Sequence, residues 1–525
     1  MNARSLLELF DGPGLGAAYV LALAGLWSRC IVQRRPAGRL AAACAVAIPI
    51  ALAIDVATPI AARIWHAAGG PVADPRVAAG IVALSGVLGW LAARAEAAGR
   101  SDALIRGTAI ERVRQPIAWP LARRRRPRRV RLASHELAAA DECKHVKLVG
   151  TTGTGKTTAI RGLLRQAIER GDSAVFADPD GAYAREFFDP ERGDVLLNPF
   201  DGRSARWDPF GECGCAFDAD QLARSLIADH PGEDRAWRGY ARVMSAALIR
   251  RLLQAPPELR GSLHRLLIHA PTEELEVLLR DSAAAPYLGP ENARFLASVR
   301  AIIGTHLAIF EHLDRPAGAA TVSVRRWIRR RAGEPACLFL PYSGGQVATL
   351  RGAVSAWMRL AIFEAMEQPD DRRRIWFVVD ELDALGAIDG LKDALVRLRK
   401  FGGRCVLGFQ SIAQVLGTYG RFDAQTIVEN CGNTLILRCS SGGVDGTSQF
   451  ASRLIGEREI ARVQVSRTRG GWPERQSASR TTVRQHLTEP AVLAAQIEQL
   501  PDFCGYLKLA SAPAWRLVEP GDWSG

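Results

Sequence analysis

Two short stretches of this chain carry the residue types needed for chemistry on a nucleoside triphosphate. The first is Gly150-Thr-Thr-Gly-Thr-Gly155-Lys156-Thr157-Thr158. Glycines let successive backbone N–H groups turn inward around phosphate oxygens, and a helix starting there adds the positive end of its dipole. In this pattern Gly150, Thr151, Thr152, Gly153, Thr154, Gly155 and Thr158 form the cradle. Lys156 reaches the β/γ oxygens of ATP, and the Thr157 hydroxyl ligates Mg²⁺. The second stretch is Ile375-Trp-Phe-Val-Val379, which runs into Asp380-Glu381. Asp380 would hold the water shell of the Mg²⁺ and Glu381 would polarise an attacking water. An apolar run ending in Asp-Glu is common by itself; beside a phosphate loop it favours hydrolysis of nucleotide over binding alone.

Those residues must be positioned by a strand, a loop and a helix in succession. His145–Val149 is a short apolar run that predicts a buried strand, and Ala159–Ile168 has helical apolar periodicity. Further buried strands are predicted at Ser173–Gly181, Asp194–Phe200, Ala336–Pro341, Ile375–Val379, Cys405–Phe409 and Thr434–Leu437. Strands alternating with helices predict an α/β, doubly wound parallel sheet. Between Ala205 and Gly318 the strand signal disappears. Ala219–Asp229, Trp237–Gln254, Thr272–Leu279 and Glu291–Phe310 predict an inserted all-α domain instead. The polar segment Arg469–Arg484 predicts an exposed loop or hairpin. The expected organisation is therefore 1–131 as a membrane anchor, 132–204 and 319–525 as two parts of a nucleotide-binding domain, and 205–318 as the insertion.

Charge and hydropathy separate the first segment from the rest. The chain's formal charge is +13, and residues 1–131 hold 19 arginines, no lysine and 7 acids, so the remaining residues are close to neutral. Three apolar stretches lie there: Leu15–Val32, interrupted by Arg29; Leu40–Ala62, with Asp55 its only charge; and Val77–Ala93, with none. A bilayer takes about 20 apolar residues to cross, which makes 40–62 and 77–93 expected transmembrane helices and leaves 15–32 as either a further span or an interfacial helix. Arg34, Arg35 and Arg39 precede the second stretch, and the Arg123–Arg126 run with Arg128, Arg129 and Arg131 follows the third. By the positive-inside rule both flanks are cytoplasmic and only about Arg63–Arg76 lies outside. The arginine run fits a juxtamembrane anchor on anionic lipid better than a nucleic-acid grip. The start of the chain does not have the basic region and cleavage site of a secretory signal.

Ten cysteines are scattered without a disulfide framework. Cys213-Gly-Cys215 is the one close pair, and no second pair or histidine pair accompanies it to complete a metal site.

Taken in order, Gly150–Thr157, Asp178-Pro-Asp-Gly181, Asn198-Pro-Phe200 with Trp207, Ser323-Val-Arg-Arg-Trp327, Asp380-Glu381, and Phe401-Gly-Gly403 leading to Gly408-Phe-Gln410-Ser411 resemble coupling proteins of conjugative type IV secretion systems, the TraD/TrwB type. The resemblance implies a RecA-like P-loop NTPase with an inserted all-α domain on a multi-pass inner-membrane anchor, the motor in the cytoplasm. It implies a homo-hexameric, DNA-dependent ATPase that recruits relaxase-bound DNA and passes single-stranded DNA to the secretion channel. It also implies that Gln410 senses the γ-phosphate. A ring needs a cation from the neighbouring subunit to neutralise transition-state charge, and Arg399 is the expected one, with Arg397 and Lys400 competing. The chain ends soon after the motor, without the long acidic tail some members use to dock their relaxosome.

Two other functions fit parts of the pattern. A double-stranded DNA pump of the chromosome-partitioning type would carry a DNA-reading module after the motor. A docking receptor for protein substrates that uses nucleotide only to assemble would not need Glu381 and Gln410.

Overall fold

The computed structural model describes residues 103–112, 129–133, 135–228, 234–313, 320–330, 334–367, 373–441, 443, 445–468 and 479–520. The three expected membrane stretches and most of the arginine run lie outside them. The chain divides into two compact units, residues 1–105 with 460–487, and residues 106–459 with 488–525. The described residues of the first lie within a three-stranded sheet in the order Ala103–Gly107, Glu457–Thr468, Ser479–Pro490. The latter part of the segment expected as a polar loop or hairpin is thus strand; residues 469–478 are outside the described residues.

The second unit is built on ten strands: β1 (Ile110–Glu111), β2 (Val146–Val149), β3 (Ser173–Pro179), β4 (Val195–Leu196), β5 (Cys337–Tyr342), β6 (Ile375–Val379), β7 (Gly403–Phe409), β8 (Asn433–Ile436), β9 (Gly505–Lys508) and β10 (Trp515–Val518). Their order across the sheet is β1-β10-β9-β8-β2-β7-β6-β3-β5-β4. From β8 to β4 every pairing is parallel. The sheet is mixed rather than wholly parallel, because β9 pairs antiparallel with β8 and β10 antiparallel with β9.

Side chains alternate across a strand, so each apolar run feeds both faces. Ile375, Phe377 and Val379 of β6 enter one core with Val175, Leu338 and Leu407. Trp376 and Val378 enter the opposite core with Phe176, Phe339 and Val406. Burial on both faces is why these strands are continuous apolar stretches. Helix α1 (Lys156–Arg170) covers the second core through Ile160, Leu163, Leu164 and Ala167. The short helix α2 (Ala182–Phe187) follows β3.

The described residues between 205 and 313 are mainly helical: α3 (Ala216–Leu226), α4 (Arg235–Gln254), α5 (Leu263–Ile268), α6 (Thr272–Leu279) and α7 (Ala293–Leu307). Leu222, Met244, Leu248, Val299 and Ile303 form their shared core. One strand falls inside the segment expected to be all-helical: Arg206–Trp207 pairs in parallel with Thr321–Val322, closing the neck of the insertion. Two-residue strands carry no periodicity to detect.

Buried Glu212 locks that neck. Its carboxylate accepts from Trp207 Nε1 at 2.8 Å, Ser323 Oγ at 3.0 Å, Val324 N at 2.7 Å and Arg325 N at 2.9 Å. Ser323 also caps helix α8 (Val324–Ile328) by accepting from Arg326 N. The Ser323–Trp327 motif therefore fastens the helical segment to the sheet. Beyond it, α9 (Val347–Glu367) packs on the first core, and α10 (Leu391–Arg397), α11 (Ile412–Tyr419) and α12 (Arg421–Asn430) complete that layer.

The edge of the sheet where β3, β6 and β7 begin is tied by buried charge. Glu142, 1% exposed, accepts from Arg170 Nη1 at 2.7 Å, Arg170 Nη2 at 2.9 Å and Arg404 Nε at 3.0 Å. Arg170 also binds Asp172, whose carboxylate takes Trp376 Nε1 at 2.9 Å. Burial alone would raise the Glu142 carboxyl, but Arg170 and Arg404 hold it below the usual Glu range. Glu142→Ala would remove the carboxylate shared by two buried guanidinium groups, leaving Arg170 with Asp172 and Arg404 with Gly402 O, and is expected to cost about 3–5 kcal/mol in denaturant titrations at pH 7. Because the folded pKa is depressed, this stabilisation is present above the ordinary carboxylate pKa and lost as pH falls through the folded value. The gap between variant and wild type should therefore close toward pH 3.

Candidate functional site

β2 ends at Val149 and the chain enters Gly150–Gly155 before α1 begins at Lys156. Gly153 and Gly155 have φ of +79° and +110°, a region where a side chain is strained, and these two positions turn the loop. Thr154 Oγ1 donates to Thr151 O at 2.7 Å, and Thr151 N donates to Arg438 O at 2.8 Å. Phe503 N donates to Thr154 O at 3.1 Å, so the chain beyond β8 braces the loop from outside. Thr152 and Thr158 are exposed on its rim.

Lys156 is buried within the loop. Its ammonium donates to Gly150 O at 2.6 Å and Thr151 O at 3.0 Å. Burial pulls its pKa down, and the Asp380 and Glu381 carboxylates oppose the shift. The result is a cation enclosed by the loop, the charge that phosphate oxygens require.

β7 pairs with β2 and β6 with β7, and these two strands deliver the remaining groups at their C-terminal ends. Thr157 Oγ1 donates to Asp380 Oδ2 at 2.7 Å. The Tyr183 hydroxyl, from α2, donates to the same oxygen at 2.8 Å. Asp380 Oδ1 is buried and has no hydrogen-bond partner among the described residues. A carboxylate oxygen orphaned next to a threonine hydroxyl suits a hard divalent cation such as Mg²⁺ and its water shell. Next to Asp380, Glu381 accepts from Gln410 Nε2 at 3.2 Å, and Gln410 Oε1 accepts from Thr152 Oγ1 at 2.9 Å. Burial first, then the charges of Asp380 and Asp383, push the Glu381 carboxyl up. The arrangement holds a carboxyl of raised basicity against one amide donor.

The close approach of β6 to β7 requires glycine at 408. A Cβ there would sit 2.4 Å from Asp380 O and 2.9 Å from Asp380 Oδ1. Any side chain would displace the carboxylate at the centre of the site.

Lys156, Thr157, Asp380, Glu381 and Gln410 are thus gathered by one edge of the sheet. Arg399 is not among them. It sits on a 3₁₀ turn, Leu398–Phe401, that follows α10, because the chain must turn at Gly402 (φ +70°) into β7. Its charge acts on His145, at the head of β2. The strand between that edge and the phosphate loop spans roughly 13 Å at ordinary rise. Arg399 is exposed, as are Arg397 and Lys400.

Asp178 caps α2, accepting from Tyr183 N at 2.9 Å and Ala184 N at 2.7 Å. Asn198 Nδ2 donates to Pro341 O at 3.0 Å and joins β4 to β5. Among the described residues no group of three or more histidine, cysteine or acidic side chains is arranged to hold a metal ion. Tyr183 is the site residue that sequence patterning does not reveal.

Comparison with known proteins gives a consistent picture. A family model described as the type IV secretion-system coupling protein DNA-binding domain matches residues 129–518. The coupling protein TraD of Escherichia coli (strain K12) is 29% identical over 384 residues, which cover 72% of this chain and 53% of TraD. The chain therefore spans about half the length of that relative. The plasmid coupling protein TrwB in complex with ADP and Mg²⁺ superimposes with a TM-score of 0.65 at 26% identity, covering 75% of this chain and 89% of TrwB. TrwB in complex with the ATP analogue ADPNP gives a TM-score of 0.67 at 26% identity, covering 79% of this chain and 94% of TrwB.

Proposed function

The chain belongs to the family of type IV secretion-system coupling proteins, and from that premise we propose that it is an ATP-hydrolysing motor that moves single-stranded DNA toward a conjugative secretion channel. The observation that carries this reading is the convergence of Thr157, Asp380, Glu381, Gln410 and Thr152 through hydrogen bonds of 2.7–3.2 Å at the mouth of a phosphate loop. Assembly alone needs a nucleotide grip; a glutamate held by an amide and raised in pKa adds a means of activating water.

In the proposed cycle the loop N–H groups and Lys156 bind the β- and γ-phosphates. Thr157 and Asp380 would hold Mg²⁺, which supplies charge neutralisation at the phosphate oxygens. Glu381 takes a proton from the water that attacks the γ-phosphorus as the bond to the β-phosphate oxygen breaks. Gln410, bonded to both Glu381 and Thr152, links the state of the γ-phosphate to β7 and, through Ser411, to α11. Arg399 acts on the site of a neighbouring subunit, since its own phosphate loop is at the other edge of the sheet. The assembly this requires is a ring, proposed as a homo-hexamer at the inner membrane, with a relaxase and channel components as partners. The motor's near-neutral charge suits a grip weak enough to release a moving strand.

The test is steady-state ATP hydrolysis by the full-length protein, with and without single-stranded and double-stranded DNA. Single strands should raise turnover several-fold, and Lys156→Ala should abolish it. Stimulation by duplex alone would favour a double-strand pump, and turnover flat with every DNA form would favour the docking receptor.

A further inference from the structure

We infer that Tyr183 is a positioning residue for the metal-side carboxylate, and that the Asp178-Pro-Asp-Gly181 turn exists to hold it there. The inference rests on the proposed ATPase reading and deepens it. Tyr183 is 0% exposed, and its ring stacks on Phe176 with centroids 5.3 Å apart. Arg161 lies over the ring, 5.8 Å from its centroid. The phenol therefore has one place to put its hydroxyl, 2.8 Å from Asp380 Oδ2.

What fixes the backbone beneath it is the turn. Asp180 and Gly181 adopt φ of +55° and +64°, reversing the chain at the end of β3. The Asp178 carboxylate, itself fully buried, then accepts the N–H groups of Tyr183 and Ala184. A six-residue helix has little stability of its own, and this cap sets its first turn. Parallel pairing of β3 with β6 places Ala177 beside Val379, one residue before Asp380. The turn after β3 and the acid after β6 are neighbours for that reason.

The consequence lies in how the carboxylate is divided. Both donors, the Tyr183 hydroxyl and the Thr157 hydroxyl, bind Oδ2. Oδ1 is left buried without a partner among the described residues. With Thr157 as the sole donor the carboxylate could rotate and exchange its oxygens. With Tyr183 in place Oδ2 stays engaged and Oδ1 stays free for the water shell of Mg²⁺.

Tyr183→Phe in the full-length protein keeps the stacked ring and removes only the hydroxyl. The readout is equilibrium binding of a fluorescent ADP analogue as free Mg²⁺ is varied, with an EDTA series alongside. A hydrogen bond to a charged acceptor is at stake, so the Mg²⁺ concentration for half-maximal enhancement of binding should rise about 10-fold, while affinity in EDTA stays at the wild-type value. An unchanged Mg²⁺ requirement would overturn the inference, as would an equal loss of affinity in EDTA, which would mean general distortion of the loop. If the wild-type protein itself bound ADP without any Mg²⁺ dependence, the ATPase reading would fall and this inference with it.

Discussion

Glu381→Gln is expected to lower ATP turnover by about 10²–10⁴-fold while leaving nucleotide affinity within a few-fold of wild type. The amide is isosteric with the carboxyl and can still accept from Gln410 Nε2, so the link from β6 to β7 survives. Lys156, Thr157 and Asp380, which contact nucleotide and metal in the proposed cycle, are untouched. What is lost is a group that can take a proton. The pH profile supplies an independent check with a definite sign. Burial and the adjacent Asp380 and Asp383 raise the Glu381 carboxyl, and a base works only when ionised. Wild-type turnover should therefore climb with pH through a value above the ordinary Glu range, and the residual turnover of Glu381→Gln should lack that limb. A variant with more than about a tenth of wild-type turnover and the same acid limb would remove Glu381 from the role of base.

The parts of this site that sequence reveals are those whose residue types are dictated by phosphate. Gly153 and Gly155 have to adopt positive φ, Lys156 and Thr157 have to follow them, and Asp380 has to end an apolar strand. The parallel strands are legible for a related reason: β3, β6 and β7 are covered on both faces, so their sequences are unbroken apolar runs. β9 and β10 sit toward the edge, where Tyr506, Lys508 and Arg516 interrupt the pattern, and their antiparallel pairing leaves no signature comparable to a crossover helix. Tyr183 is hidden because its tie to Asp380 spans 197 residues and exists only through the pairing of β3 with β6. Glu212 is hidden in the same way; its four donors come from the first strand of the insertion's neck and from the cap and first turn of the helix after the second. A carboxylate alone in a sequence says nothing about which N–H groups will surround it.

Arg399 poses a different problem, because a contact made between copies of a chain is not written in the pattern of one. Within a subunit the arginine is exposed near the head of β2, while Lys156 follows the other end of that strand. It therefore acts in trans or has no part in the chemistry. Arg399→Ala is expected to lower turnover about 10³-fold or more, the scale on which an inserted arginine stabilises phosphoryl-transfer charge, with nucleotide affinity near wild type. Being exposed, the side chain contributes little to folding, so the unfolding midpoint should not move. Arg397→Ala and Lys400→Ala, exposed on the same segment, serve as controls and should leave most of the turnover intact. Mixing decides the geometry. A subunit bearing Arg399→Ala still has Glu381, and a subunit bearing Glu381→Gln still has Arg399. Where the second type presents its arginine to the first, one complete site is rebuilt from two defective proteins. Equimolar mixing should then restore turnover well above the sum of the separate variants, at concentrations where subunits exchange. Additive turnover in the mixture, with exchange shown by labelled subunits, would place Arg399 outside the reaction and return the search to the other exposed cations of this edge.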